Sequence, residues 1–212
     1  KHGIESYARI WKESKYPEDP LQTYMRIYCN NSLDALYKDL YAYSAHCADY
    51  DFKAVHQYKK EAAINYSTKL YKNDGYYQVA YTNCPGTTGF SLIPLNVPAS
   101  GKVSATLEGL APGSALAAAD PGTVVDGDGN VKSTVTKYNS QSNTQQNYRY
   151  GFVAITKDGE SHYGEMHTGK KGTATYEVPA NTERLYLCVL AAPDKYNRNA
   201  WDDDETNDEQ WP

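Results

Sequence analysis

The last twelve residues, Trp201-Asp-Asp-Asp-Glu-Thr-Asn-Asp-Glu-Gln-Trp-Pro212, carry six carboxylates, no base and a tryptophan at either end. Calcium takes about six to eight oxygen ligands. Asp202, Asp203, Asp204, Glu205, Asn207, Asp208 and Glu209 offer side-chain oxygens in that range. Packing so many carboxylates together without a cation raises their pKa values by mutual repulsion. The segment is therefore the strongest cation candidate in the chain, with a structural calcium as its ligand; the favoured reading is a solvated turn that points its charges into water. Acidic tails usually lack large aromatics, so Trp201 and Trp211 argue for a folded loop clamped at both ends. The same two rings are candidate ligand-binding residues, because aromatic faces stack on the apolar faces of sugars.

Other chemistry-bearing residues are weaker signals. His162-Tyr-Gly-Glu-Met-His167 resembles a metal or acid–base cluster, but strand alternation puts Glu165 and His167 on one face and His162 on the other. Two surface histidines on a hairpin are expected instead. Asp126-Gly-Asp-Gly-Asn130 matches the first five positions of a calcium loop. Val131 then replaces the turn glycine and Lys137 the bidentate glutamate, which favours a tight polar turn between strands. His46 and Cys47 have Cys29 upstream but no apparent fourth zinc ligand, so they read as structural filler. No Gly-x-Ser-x-Gly elbow holds a serine nucleophile. Cys29, Cys47, Cys84 and Cys188 show no Cys-x-x-Cys spacing and are read either as free buried thiols or as including a bridge.

Bulk composition narrows the partners. The chain has 21 basic and 26 acidic residues, and outside the acidic terminus the balance is 21 against 20. Nucleic acid is excluded as a partner by this lack of clustered base. No apolar run approaches the roughly 18 to 20 residues of a membrane span. The first residue is Lys1 and the last Pro212, so the chain is expected to be a processed or trimmed piece of a longer protein.

The elements that must position these residues change character near Asp74-Gly75. Before it, apolar residues recur at helical spacing in three stripes. These are Ile4, Tyr7, Ala8 and Trp11; Leu21, Tyr24, Met25 and Tyr28; and Leu33, Leu36, Tyr37, Leu40 and Tyr41. Asp19-Pro20-Leu21-Gln22 reads as an N-cap, a proline at the first helical position and a capping-box glutamine. Ser32 and Asp51 are expected to cap the next two helices. After Gly75 the period falls to two. Strands are predicted over 76–81, 90–97, 103–107, 131–137, 148–156, 173–178 and 184–191, with hairpin signals at Asp158-Gly159 and Gly169-Lys-Lys-Gly172. The expected fold is α+β: an N-terminal bundle of about four helices over 1–74, then an antiparallel, jelly-roll-like β-sandwich over 75–212.

The elements His2-Gly-Ile-Glu-Ser-Tyr-Ala-Arg-Ile-Trp11, Glu18-Asp-Pro20, Asn83-Cys-Pro-Gly86, Trp201-Asp-Asp-Asp204 and Asn207-Asp-Glu-Gln-Trp-Pro212 resemble uncharacterised secreted proteins of Bacteroides-type gut bacteria. In that group a zincin-like metallopeptidase domain precedes a β-sandwich. The resemblance implies that this chain is the part after the zinc motif, and no His-Glu-x-x-His is present to carry a zinc ligand over. The expected function is a non-catalytic helical and sandwich region of an exported protein, secreted, periplasmic or on the cell surface. It would bind a glycan or an extracellular protein surface, or brace an upstream catalytic domain. The alternative is a hydrolase, either the rear of a zinc peptidase or a sandwich glycosidase.

Overall fold

The computed structural model of the chain describes residues 2–59, 68, 70–73, 75–79, 85–99, 101–109, 123–125, 131–134 and 147–196. Among them are three α-helices, α1 (Glu5–Glu13), α2 (Pro20–Tyr28) and α3 (Leu33–His46), and a 3-10 turn over His56–Tyr58. Eleven strands follow: β1 (Leu70–Asn73), β2 (Tyr76–Val79), β3 (Phe90–Leu95), β4 (Lys102–Glu108), β5 (Thr123–Val125), β6 (Val131–Thr134), β7 (Tyr148–Thr156), β8 (Ser161–Tyr163), β9 (His167–Thr168), β10 (Lys171–Glu177) and β11 (Thr182–Ala191). Every pairing among them is antiparallel. The fold is mixed α and β, dominated by strands.

Local chemistry explains the helix starts. The Asp19 carboxylate accepts from the Gln22 amide while the Gln22 side chain accepts from the Asp19 amide, with Pro20 at the first helical position. The Ser32 hydroxyl accepts from the Ala35 amide at the start of α3. Each cap satisfies a donor that the helix itself leaves unpaired. Asp51 caps nothing: the 3-10 turn follows Val55 with no side-chain cap, and a fourth α-helix is absent from the described residues. The carboxylate is instead engaged by partners on other elements, as described below. The change of period at Asp74-Gly75 falls between β1 and β2, whose facing ends Asn73 and Tyr76 pair.

A five-stranded sheet in the order β3-β11-β7-β8, with β9 also on β7, forms the centre. Strand β7 is buried along its whole length and β11 from Leu185 onward. Such strands read as continuous apolar runs because both faces are covered. Helix α3 covers one face: Tyr37, Tyr41 and Ala45 pack with Val153, Ile155, Tyr186, Cys188 and Leu190. On the other face, Phe152, Ala154, Leu185 and Leu187 pack with Ala174 and, partly buried, Val103, Ala105, Leu107 and Tyr176 of the β4–β10 ribbon. Gly151 makes the helix contact possible, since a Cβ there would collide with the Tyr41 hydroxyl and the Glu165 carbonyl.

Asp158-Gly159 does turn the chain from β7 into β8, with Gly159 at φ +88°. Gly169-Lys-Lys-Gly172 is not a hairpin. β9 pairs with β7 and β10 with β4, so these residues carry the chain from one sheet to the other. The ribbon's outer face is polar. Ser104 bonds Thr175 at 2.9 Å, Thr106 bonds Thr173 at 2.8 Å, and the Lys102–Glu177 and Lys171–Glu108 ion pairs close the two ends at 3.3 and 2.9 Å.

Candidate functional site

The first apolar stripe of the sequence does not face the core. Ile4 is 85% exposed, Tyr7 66%, Trp11 66% and the neighbouring Tyr16 95%, and Ala8 is exposed as well. Helix α1 instead turns Ser6, Ile10 and Glu13 toward the body, all only half-buried, and contributes no buried residue. Helical spacing places Ile4, Tyr7, Ala8 and Trp11 within one arc of about 100°, and Tyr7 meets Trp11 edge to face at 6.3 Å. The helix is held from behind by polar contacts. Arg9 bonds Glu13 at 2.7 Å and lies over the Tyr28 ring. Arg26 reaches the Glu13 carbonyl and grips Glu18 through two 2.7 Å bonds. That fork holds the Glu18 carboxyl down at about 2.

A second constellation forms where the segment after α3 crosses β8. Asp49 is completely buried, and its Oδ2 lies 2.9 Å from Lys59 Nζ and accepts from the Ser161 hydroxyl at 2.6 Å. Lys59 Nζ also donates to Ser161 Oγ at 2.5 Å. Asp49 Oδ1 is buried without a hydrogen-bond partner. Beside them, the Tyr163 hydroxyl donates to Asp51 Oδ2 at 2.7 Å, and His56 Nδ1 lies 3.0 Å from Asp51 Oδ1. His46 Nδ1 lies 2.7 Å from the Asp51 carbonyl and 3.0 Å from the Tyr163 hydroxyl. Partial burial pushes the Asp51 carboxyl up, but the Tyr163 hydrogen bond and the Lys59 charge outweigh it and hold the group below its ordinary range. Burial and then Asp51 push the Tyr163 phenol well above its ordinary value.

This cluster contains the residue types of acid–base chemistry, and its groups are committed to one another. Lys59 neutralises Asp49, Tyr163 and His56 engage Asp51, and the result ties residues 46–59 to a strand more than a hundred positions away. Among the described residues, no group of three or more His, Cys, Asp or Glu side chains is arranged to hold a metal ion. His46, expected to be filler, is a member of this network. The sequence concealed it because its partners come from a loop and from β8, with no spacing rule between them.

The other candidates separate. His162 is exposed on β8 opposite Ala154, Glu165 is exposed between strands, and His167 stacks on Tyr150 at 5.6 Å. Cys29, Cys47 and Cys188 are buried, and burial raises the Cys47 and Cys188 thiols above their ordinary value. Such thiols are inert. β5 and β6 pair on either side of the Asp126–Asn130 segment, which itself lies outside the described residues, as do Cys84, Trp201, Asp202, Asp203, Asp204, Glu205, Asn207, Asp208, Glu209 and Trp211. No described helix is long and apolar enough to cross a membrane.

These features define an α+β protein whose third helix packs on one face of an antiparallel sheet and whose first helix presents an apolar face outward. The chain belongs to the family described as "Family of unknown function (DUF6055)", which matches residues 1–212. No curated protein and no solved structure matches it. The family assigns no activity and lends no support to the metallopeptidase or gut-bacterial resemblance.

Proposed function

We propose that this chain is a non-catalytic region of an exported bacterial protein that docks on a protein surface through helix α1. The observation that carries this reading is the outward stripe of Ile4, Tyr7 and Trp11. Leaving such a stripe in water forgoes roughly 1.5–3 kcal/mol for each large apolar side chain, and contiguous exposed apolar patches mark interaction sites. Protein is favoured over glycan as the partner on three grounds. Ile4 offers no ring to a sugar, and α1 is a convex helix rather than a groove. The exposed face of the β4–β10 ribbon is polar, with its hydroxyls and charges already paired. The stripe carries no charge, while Glu5 and Lys12 flank it with opposite sign, so the partner it fits is apolar rather than strongly acidic or basic. The exported setting rests on the motif resemblance. The β4–β10 ribbon is read as the described part of a second sheet, completing a jelly-roll-like sandwich that braces the docking helix.

The test replaces Ile4, Tyr7 and Trp11 together with serine. Folding stability is expected to stay within about 0.5 kcal/mol, as for surface positions, while binding of an apolar dye to the chain is lost. A glycan array probed with both forms is expected to show no ring-dependent binding. A loss of several kcal/mol would show that the stripe belongs to the core, and glycan binding that vanishes with these rings would replace the protein partner by a sugar.

A further inference from the structure

Resting on that docking reading, we infer that the protein surface which α1 fits is α1 of a second copy of this chain, packed antiparallel across a two-fold axis near Ala8. A two-fold contact must be complementary to itself, and the residues of α1 meet that condition. With residues rising about 1.5 Å apiece along the helix, rotation about a point between Tyr7 and Ala8 sets Ile4 opposite Trp11 of the second copy. It sets Tyr7 opposite Ala8, large against small at the crossing, where a small side chain lets two helices approach closely. Charge follows the same symmetry. Glu5 and Lys12 lie on one flank of the stripe, seven positions apart, so the antiparallel copy brings each Glu5 to the other's Lys12. Both side chains are exposed, and neither has an ion-pair partner among the described residues. Arg9 and Glu13, the other charges of the helix, already pair with each other.

Area sets the strength. Taking about 150–250 Å² for a fully buried aromatic, the partly exposed stripe offers roughly 450 Å² per copy. Two copies would then bury roughly 900 Å², below the about 1,200 Å² of the smallest standard interfaces. The contact is therefore a weak, concentration-dependent dimer rather than an obligate one.

Sedimentation equilibrium of the intact chain from micromolar to near-millimolar concentration tests this. The expected result is a reversible monomer–dimer equilibrium, weakened at least about tenfold by Trp11→Ser, as for a large aromatic anchor. Glu5→Lys and Lys12→Glu are each expected to weaken it about threefold. An equimolar mixture of those two variants should recover the parent's dimerisation. One variant carries a base at both flank positions and the other an acid at both, so each flank contact of the mixed pair again joins a base to an acid. Monomers at every concentration, or a mixture no better than its components, would overturn the second copy as the occupant. In that event the serine triple variant still decides separately whether α1 is a docking face.

Discussion

Lys59 Nζ sits 2.9 Å from Asp49 Oδ2, and the Asp49 side chain is entirely shielded from solvent. Removing one partner of a buried pair strands the other's charge, which costs about 3–5 kcal/mol. Lys59→Met and Asp49→Leu are each expected to destabilise by that amount. The double variant should recover most of the loss, because two apolar side chains strand no charge. Urea unfolding of all four forms, as a double-mutant cycle, measures the coupling; additive losses would show that the pair acts independently.

Gly151→Ala is expected to cost about 1–3 kcal/mol through overpacking, because the new methyl meets the Tyr41 hydroxyl and the Glu165 carbonyl. Adding Tyr41→Phe removes one of the two obstructions and should return part of the stability. Thermal unfolding of the single and double variants gives the answer, and a double variant worse than the single would place the clash elsewhere.

Acid stability depends on the Glu18–Arg26 fork. The folded Glu18 carboxyl is depressed to about 2 by Arg26, so its contribution is complete above the ordinary glutamate value of about 4.3. It fades as pH falls through about 2. Arg26→Ala should therefore lower stability at neutral pH, by the small amount that solvent screening leaves to a partly exposed pair. It should also make the chain less sensitive to acid between those two values. Denaturation midpoints at pH 7 and pH 2.5 distinguish this from simple loss of packing, which would shift both equally.

Leu190, buried on the α3 face of the sheet, contrasts with Ile4 on α1. Leu190→Ala is expected to lose about 2–5 kcal/mol through lost transfer energy and a residual cavity. Ile4→Ala should stay within about 0.5 kcal/mol. Comparable losses at the two positions would contradict the orientation of α1.

The sequence by itself determined what depends on near neighbours. Asp19, Pro20 and Gln22 start α2, and Ser32 starts α3, because caps act within three or four residues. The run over 148–156 is a strand at the boundaries its apolar pattern gives. The stripe of Leu36, Tyr37 and Tyr41 does face the core. The stripe of Ile4, Tyr7 and Trp11 has the same spacing and faces water. Periodicity reports that one side of a helix is apolar; which side meets the body depends on what packs against it, and only the tertiary arrangement decides that. The same limit hid the Asp49–Lys59–Ser161 and Asp51–Tyr163 contacts, which join α3's end to β8 across more than a hundred residues. It also made Gly169–Gly172 look like a hairpin, since turn residues signal a change of direction and do not say which strand receives the chain.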